Sequence, residues 1–260
     1  MRRRQFLGAL AAAPAGAFAA RTTKPHIVSL SFDDGFKKSF LRVAELYEKF
    51  SLSACFNIIA SAHMPGNEVR DDYMKQELFG DFGLWNELQD RGHEIMPHGY
   101  SHEHLAALPP AEAKDRIRRC LDVFSKELRG FDAKKAVFNF PYNQSSPELE
   151  RWLPSVVMAF RTTGGILNPL PTADTVKITT GGFGPGNGEA YVDRSVEKLL
   201  AQPGGWMVYN THGLDDEGWG PIGYDYLERL LARLTAIDSV RIVPTARVLM
   251  QARGAAHRST

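Results

Sequence analysis

Asp33 and Asp34 stand side by side at the end of an apolar run, residues 26–31, and Gly35 follows at once. A strand that delivers two acids to a turn brings like charges together, an arrangement best tolerated with something positive beside it. His98 and His102 supply two imidazoles four residues apart. On a helical turn that spacing points both rings the same way. With one carboxylate they form a His2Asp set for a divalent cation, leaving an open position for water. Asp34 is the expected third ligand. Asp33 is then placed to take a proton from the attacking water. The donor set suits zinc, and cobalt or nickel would also fit.

A third histidine, His212 in Asn210-Thr211-His212-Gly213, is a candidate general acid for the leaving group. The alternatives for it are a fourth metal ligand and a hydrogen-bonded loop residue. Tyr142 follows Pro141 after another apolar run, and Arg161 ends the next one. His93 precedes its strand and reads as a structural residue, and His104 reads as a surface histidine. Trp219, Tyr100 and Phe183 could stack on a sugar face or could cap the core beneath long loops.

The elements that must position these residues alternate. Strands are predicted over 26–31, 54–59, 93–97, 136–140, 156–161, 176–180, 206–211 and 240–243. Phe40, Val43, Ala44 and Tyr47 fall at helical spacing, as do Ile117, Leu121, Phe124 and Leu128, and Leu227, Leu230, Leu231 and Leu234. Shorter helices follow around Trp85, after Ser146-Pro147 with serine as cap, and around Val196. Thr245 is the expected cap of a closing helix. Strand–helix alternation predicts a parallel sheet with helices outside, closed or nearly closed into a barrel at this length. Asp33, Asp34, His98, Tyr142, Arg161 and His212 all lie at C-terminal strand ends, which share one face of such a barrel.

The 260 residues are 43% hydrophobic, enough for a full core, and no Ser/Pro-rich linker divides them. The formal net charge is +1. Without Arg2, Arg3 and Arg4 the 30 acidic residues outnumber the basic ones, and no basic run remains. A nucleic-acid partner has no electrostatic footprint here. Residues 1–20 read as a twin-arginine-type signal peptide, with Arg3-Arg4-Gln5-Phe6-Leu7, a small apolar stretch and an Ala17-Phe18-Ala19 cleavage site. An uncleaved anchor or a disordered tail is the alternative. Export would place the domain of residues 21–260 in the periplasm or outside the cell, with no stable membrane association after cleavage. Cys55 and Cys120 read as two separate buried thiols.

Ser31-Phe32-Asp33-Asp34-Gly35, His98-Gly99-Tyr100-Ser101-His102, Phe140-Pro141-Tyr142 and Thr211-His212 together resemble the motifs of polysaccharide deacetylases of the NodB-homology type, carbohydrate esterase family 4. The resemblance covers residues 26–250. It implies a single-domain α/β fold, a distorted (β/α)7-type barrel, and metal-dependent removal of N- or O-linked acetyl groups from an acetylated carbohydrate. It also implies Asp33 as base, Asp34, His98 and His102 as metal ligands, the Tyr142 backbone N–H as an oxyanion donor, and His212 as acid. Two departures stand out. Asn139 replaces the family's arginine before Pro-Tyr, and Asn143 replaces the glycine after it. That arginine pairs with the base, so its loss should change the tuning of Asp33 unless Arg161 takes its place. Pairing of Arg161 elsewhere on the rim is the alternative. The fifth strand also lacks the family's usual acidic pattern. Two other functions fit the same sequence: hydrolysis of a small non-peptide amide, and glycan binding without catalysis.

Overall fold

The computed structural model describes residues 24–66, 74–182 and 184–256. The signal peptide expected at 1–20 and Phe183 lie outside the described residues. Strand β1, His26–Phe32, is buried along its whole length. It pairs in parallel with β8, Gly205–Thr211, from His26↔Gly205 to Phe32↔Thr211. On its other side it pairs twice. Its C-terminal half meets β2, Cys55–Ile58, and its N-terminal half meets β9, Val240–Ile242. Strand β3, Glu94–Pro97, extends the sheet beyond β2. A second parallel sheet holds β4, Val137–Asn139, β5, Ala159–Thr163, and β7, Lys177–Thr180. The two-residue strand β6, Leu167–Asn168, runs antiparallel to β8. No apolar periodicity signals so short a strand.

The two sheets approach at two seams, β3 against β4 and β7 against β8. Ladder bonds are scarce there, and side chains take over. Val137 N–H donates to the Met96 sulfur at 3.4 Å, Asn139 Nδ2 donates to Pro97 O at 3.3 Å, and His98 Nδ1 lies 3.0 Å from Asn139 O. Pro97 has no N–H to offer. At the second seam Thr180 Oγ1 donates to Val208 O, and an isolated bridge joins Gly181 to Tyr209. The ring is therefore the distorted seven-stranded parallel barrel expected, stitched rather than laddered at two places.

Period-two alternation sorts the residues into an outer and an inner face. Val28, Leu30, Phe32, Phe56, Phe138, Phe160, Met207 and Tyr209 belong to a large apolar cluster shared with the helices. Helix α1, Lys37–Lys49, buries Phe40, Val43, Ala44 and Tyr47 into it, and α3, Pro110–Glu127, buries Ile117, Cys120, Leu121 and Phe124. Helices α2, Phe82–Asp90, α4, Pro147–Trp152, α5, Gly188–Leu200, and α6, Tyr224–Thr235, complete the outer layer. Ser146 accepts from Leu149 N, the expected cap. A smaller cluster fills the barrel floor: Ile27, Val137, Ala159, Ile178, Trp206 and Val208, closed by Ala246, Val248 and Leu249 of α7, Thr245–Ala256. Thr245 is not the cap of α7 but its first residue. The buried Glu94 carboxylate accepts instead from Ala246 N at 3.0 Å and Arg247 N at 2.9 Å. Cys55 and Cys120 are free, buried thiols.

Candidate metal and catalytic site

Above the apolar floor the inward-facing residues turn polar: Ser31, Asn57, Asn139, Arg161 and Asn210 are all buried. Each sits two residues beyond, or directly continues, the inward line of its strand. Asp33 is the next inward position after Ser29 and Ser31, and its N–H still donates to Thr211 O at 2.9 Å. Its carboxylate is 1% exposed and is held by side-chain donors on both oxygens. Arg161 grips it with two nitrogens, at 2.9 Å to Oδ1 and 2.5 Å to Oδ2. Asn57 Nδ2 donates to Oδ1 at 2.6 Å and Asn210 Nδ2 to Oδ2 at 3.4 Å. Burial alone would push the Asp33 carboxyl up. The Arg161 charge, then His98, then the Arg161 hydrogen bond outweigh it and hold the group well below the usual carboxylate range.

Arg161 thus lies against Asp33 and not elsewhere on the rim. Asn139 and Arg161 are register partners across β4 and β5, so the cation arrives from the adjoining strand while the smaller Asn139 makes room. Asn139 Nδ2 also donates to Asn57 Oδ1 at 2.8 Å, which obliges Asn57 to turn its own Nδ2 toward Asp33. Sequence reasoning missed Asn57 and Asn210. A polar residue at an inward position of an otherwise apolar strand is the signal that could have found them.

Asp34 is the opposite case. It is 0% exposed, and neither carboxylate oxygen receives a hydrogen bond from the described residues. Its Oδ1 lies 3.4 Å from His98 Nε2 and 3.5 Å from His102 Nε2. Potential ligand atoms of Asp34, His98 and His102 all lie within 4.8 Å of one another. Because the Asn139 carbonyl can only accept, His98 carries its proton on Nδ1 and turns the Nε2 lone pair toward Asp34. A buried carboxylate without donors, facing two imidazole nitrogens, fits a divalent cation.

The two histidines converge by a route other than the helical turn expected. His98 leaves β3 and His102 lies in a loop, with Gly99 at φ +80° and His102 at φ +57°. A Cβ on Gly99 would meet Pro141 Cγ at 2.8 Å. Glu103 braces the loop by accepting from Ser101 N and Ser101 Oγ. Asp34, His102, Tyr142 and Asn143 are four of six described non-glycine residues with left-handed backbone. Such conformations cost about 1–3 kcal/mol each and persist where surrounding structure enforces them.

Tyr142 sits in the short turn Pro141–Asn143, and its ring stacks on the exposed His104 at 3.6 Å. His212 follows β8, and its Nδ1 lies 2.5 Å from Trp219 O, which places the proton on Nδ1. Asp33, His98, His102, Tyr142 and His212 line one cavity of about 430 Å3, with Trp219 at its edge. Trp219 is 44% exposed, whereas Tyr100 lies outside this lining with its ring under the Arg119 guanidinium. His93 is structural: its Nδ1 accepts from Ala54 N and its Nε2 meets Glu48.

The fold has solved counterparts. A Mycobacterium smegmatis protein classed as a polysaccharide deacetylase is 15% identical, with TM-score 0.65, over 94% of this chain and 96% of that one. A family 4 acetyl xylan esterase from Clostridium thermocellum, in complex with a cobalt ion, is 20% identical with TM-score 0.56, over 86% and 91%. A family 4 pseudoenzyme from Bacillus anthracis is 14% identical with TM-score 0.57, over 88% of this chain and 66% of that one. No curated protein sequence matches. A family model described as polysaccharide deacetylase matches residues 20–153, half of the chain and the half that carries Asp33, Asp34, His98, His102 and Tyr142, and the chain belongs to that family.

Proposed function

We propose that this chain is an exported, divalent-metal-dependent hydrolase that removes acetyl groups from a glycan. The observation that carries the reading is the contrast at Asp33-Asp34, one carboxylate gripped by side-chain donors and its neighbour facing two imidazoles with no hydrogen bond from the described residues. Asp34, His98 and His102 would hold the cation, with zinc the first choice and cobalt or nickel fitting the same donors. When bound there, the cation would supply a Lewis acid at the acetyl carbonyl and lower the pKa of a neighbouring water.

The chain's own residues do the rest. Asp33 takes a proton from the water as its oxygen bonds to the acetyl carbon, while Arg161 and Asn57 keep the carboxylate in place. The Tyr142 backbone N–H donates to the carbonyl oxygen as charge gathers there. His212, protonated on both ring nitrogens for this step, gives its Nε2 proton to the departing nitrogen or oxygen as the bond to the acetyl carbon breaks. The other proton stays on Nδ1, which donates a hydrogen bond to the Trp219 carbonyl. Trp219, exposed at the cavity edge, offers a flat face to a sugar ring. The leader at residues 1–20 would direct export by the twin-arginine route.

Acetate release from N-acetylglucosamine oligomers and acetyl-xylan, with and without chelator and with metals added back, tests this reading. The expected result is release that chelator abolishes and zinc restores. A cavity of about 430 Å3 also admits a small non-peptide amide, so simple acetamides belong in the same panel. Turnover of those alone would replace the glycan assignment. No release from any substrate by metal-loaded protein would favour a binding role.

A further inference from the structure

His212 is only half-buried, and its ring is oriented by a hydrogen bond from Nδ1 to the Trp219 carbonyl and by edge-on contact with the Trp219 ring. Trp219 belongs to a loop of residues 213–222 whose ends meet at the Leu214↔Ile222 bridge. Something must fix the height of that loop over the cavity. Its one buried carboxylate, Glu217, points away from the cavity and into the N-terminus of α1.

Helix α1 begins at Lys37 and its N-cap residue, Phe36, has no side chain that can accept a hydrogen bond. The first N–H groups of a helix need acceptors from elsewhere, and a negative charge is favoured there. Glu217 Oε2 accepts from Ser39 N at 2.9 Å and also from Ser39 Oγ. Ser39 Oγ in turn accepts from Leu214 N at 3.0 Å. The loop is thus tied at two points to the third residue of a helix that starts three residues after Asp34. Glu217 N donates back to Leu214 O at 3.1 Å, closing the loop on itself. The fit is close. A Cβ on Gly213 would meet Glu217 O at 2.3 Å, and one on Gly218, at φ +80°, would meet His212 Cβ at 2.8 Å and the Phe36 ring at 3.0 Å.

We infer that Glu217 is a positioning residue for His212: by capping α1 through Ser39 it sets the Trp219 carbonyl that holds the imidazole, and so registers the acid against Asp33 and Asp34. This rests on the reading of His212 as the acid. A group that protonates the leaving atom matters most when that atom departs poorly on its own. The device should therefore matter for an acetamide and hardly at all for an aryl ester, whose phenolate leaves without help.

The test compares Glu217→Ala, Glu217→Gln, Ser39→Ala and His212→Ala in the zinc-loaded full chain. Substrates are an N-acetylglucosamine tetramer and 4-nitrophenyl acetate. The ring nitrogens of His212 are read separately by long-range 1H–15N correlation. Glu217→Ala is expected to lower kcat on the tetramer by about tenfold to a hundredfold, at most the lower end of what a general acid contributes. KM, zinc affinity and aryl ester turnover should stay near native, and the His212 spectrum, read on the neutral ring, should change from a single Nδ1–H tautomer to a mixture. Glu217→Gln keeps an acceptor for Ser39 and should restore most of the loss. Ser39→Ala removes the hydroxyl bonds to Glu217 and Leu214 but keeps the Ser39 N–H on Glu217, so it should give a smaller loss of the same pattern, and the double variant should be no worse than Glu217→Ala. Equal losses on both substrates, or an unchanged His212 tautomer in Glu217→Ala, would overturn the inference. If His212→Ala itself shows no preference between the substrates, the acid assignment is what fails, and the tautomer measurement alone then decides whether Glu217 orients the ring.

Discussion

Two buried carboxylate regions of this molecule look alike by burial and differ in what surrounds them. Glu94, beside the barrel floor, is buried among Cys55, Thr245 and the start of α7. Its two oxygens receive two backbone N–H groups, a hydroxyl and the Cys55 thiol, so the fold itself supplies every partner. Asp33 and Asp34, at the rim, divide the same situation between them. Asp33 is as fully satisfied as Glu94, but by a guanidinium and two side-chain amides. Asp34 receives no hydrogen bond from the described residues. An unpaired buried charge is costly, and one that persists beside two imidazoles calls for a partner the polypeptide does not provide. Burial alone does not mark a site; the donor count around the buried group does.

The largest expected effect tests that distinction directly. Asp34→Asn should reduce zinc affinity by more than about 100-fold, beyond what loss of an outer partner costs, and take turnover with it. Asp33→Asn should leave zinc bound and lower kcat by about 100-fold to 10,000-fold. Isothermal titration beside acetate release separates the two, and equal zinc loss in both variants would erase the proposed division of roles.

Arg161→Gln comes next. Without the guanidinium the strongest of the charges that oppose burial is gone, and the Asp33 carboxyl should rise toward its ordinary value. The acid limb of the kcat/KM profile should then move to higher pH, and activity at low pH should be lost first. An unmoved limb would show that Arg161 does not tune the base.

The smallest effect belongs to the floor. Glu94→Gln should destabilise the protein by about 1–2 kcal/mol, as loss of a helix cap does, and leave kcat per folded molecule unchanged. Urea unfolding with activity measured well below the midpoint checks it. A catalytic defect there would mean that the two regions are coupled through the buried Cys55–Ser31 contact that separates them.

Asp33, His98, Arg161 and His212 were legible in the sequence because each stands at the C-terminal end of an apolar strand run. Ser29, Ser31 and Asp33, or Trp206, Val208, Asn210 and His212, can be followed from core to cavity by counting alternate positions. The long helices were legible for the same reason at helical spacing. What escaped involves partners far apart in the chain. Glu94 reaches the N–H groups of Ala246 and Arg247, and Glu217 reaches Ser39, and no local pattern announces either. The loop from His98 to His102 escaped because a spacing of four has a helical explanation and a left-handed one, and only the packing of Gly99 on Pro141 selects between them. Asn139 read as a lost arginine, whereas its amide proves to orient Asn57 while the cation comes from its neighbour across the strands.

The seam between β3 and β4 has one further consequence. The carbonyl of Asn139, which a regular ladder would engage, is the group that sets the tautomer of His98, and Pro97 withholds the donor that would compete for it. An engineer who regularised this barrel, replacing Pro97 and pairing the two strands, would gain symmetry and rigidity. The same edit would release the imidazole from the orientation that lets it serve as a ligand, so in this protein the irregularity of the scaffold and the competence of the site are one design decision.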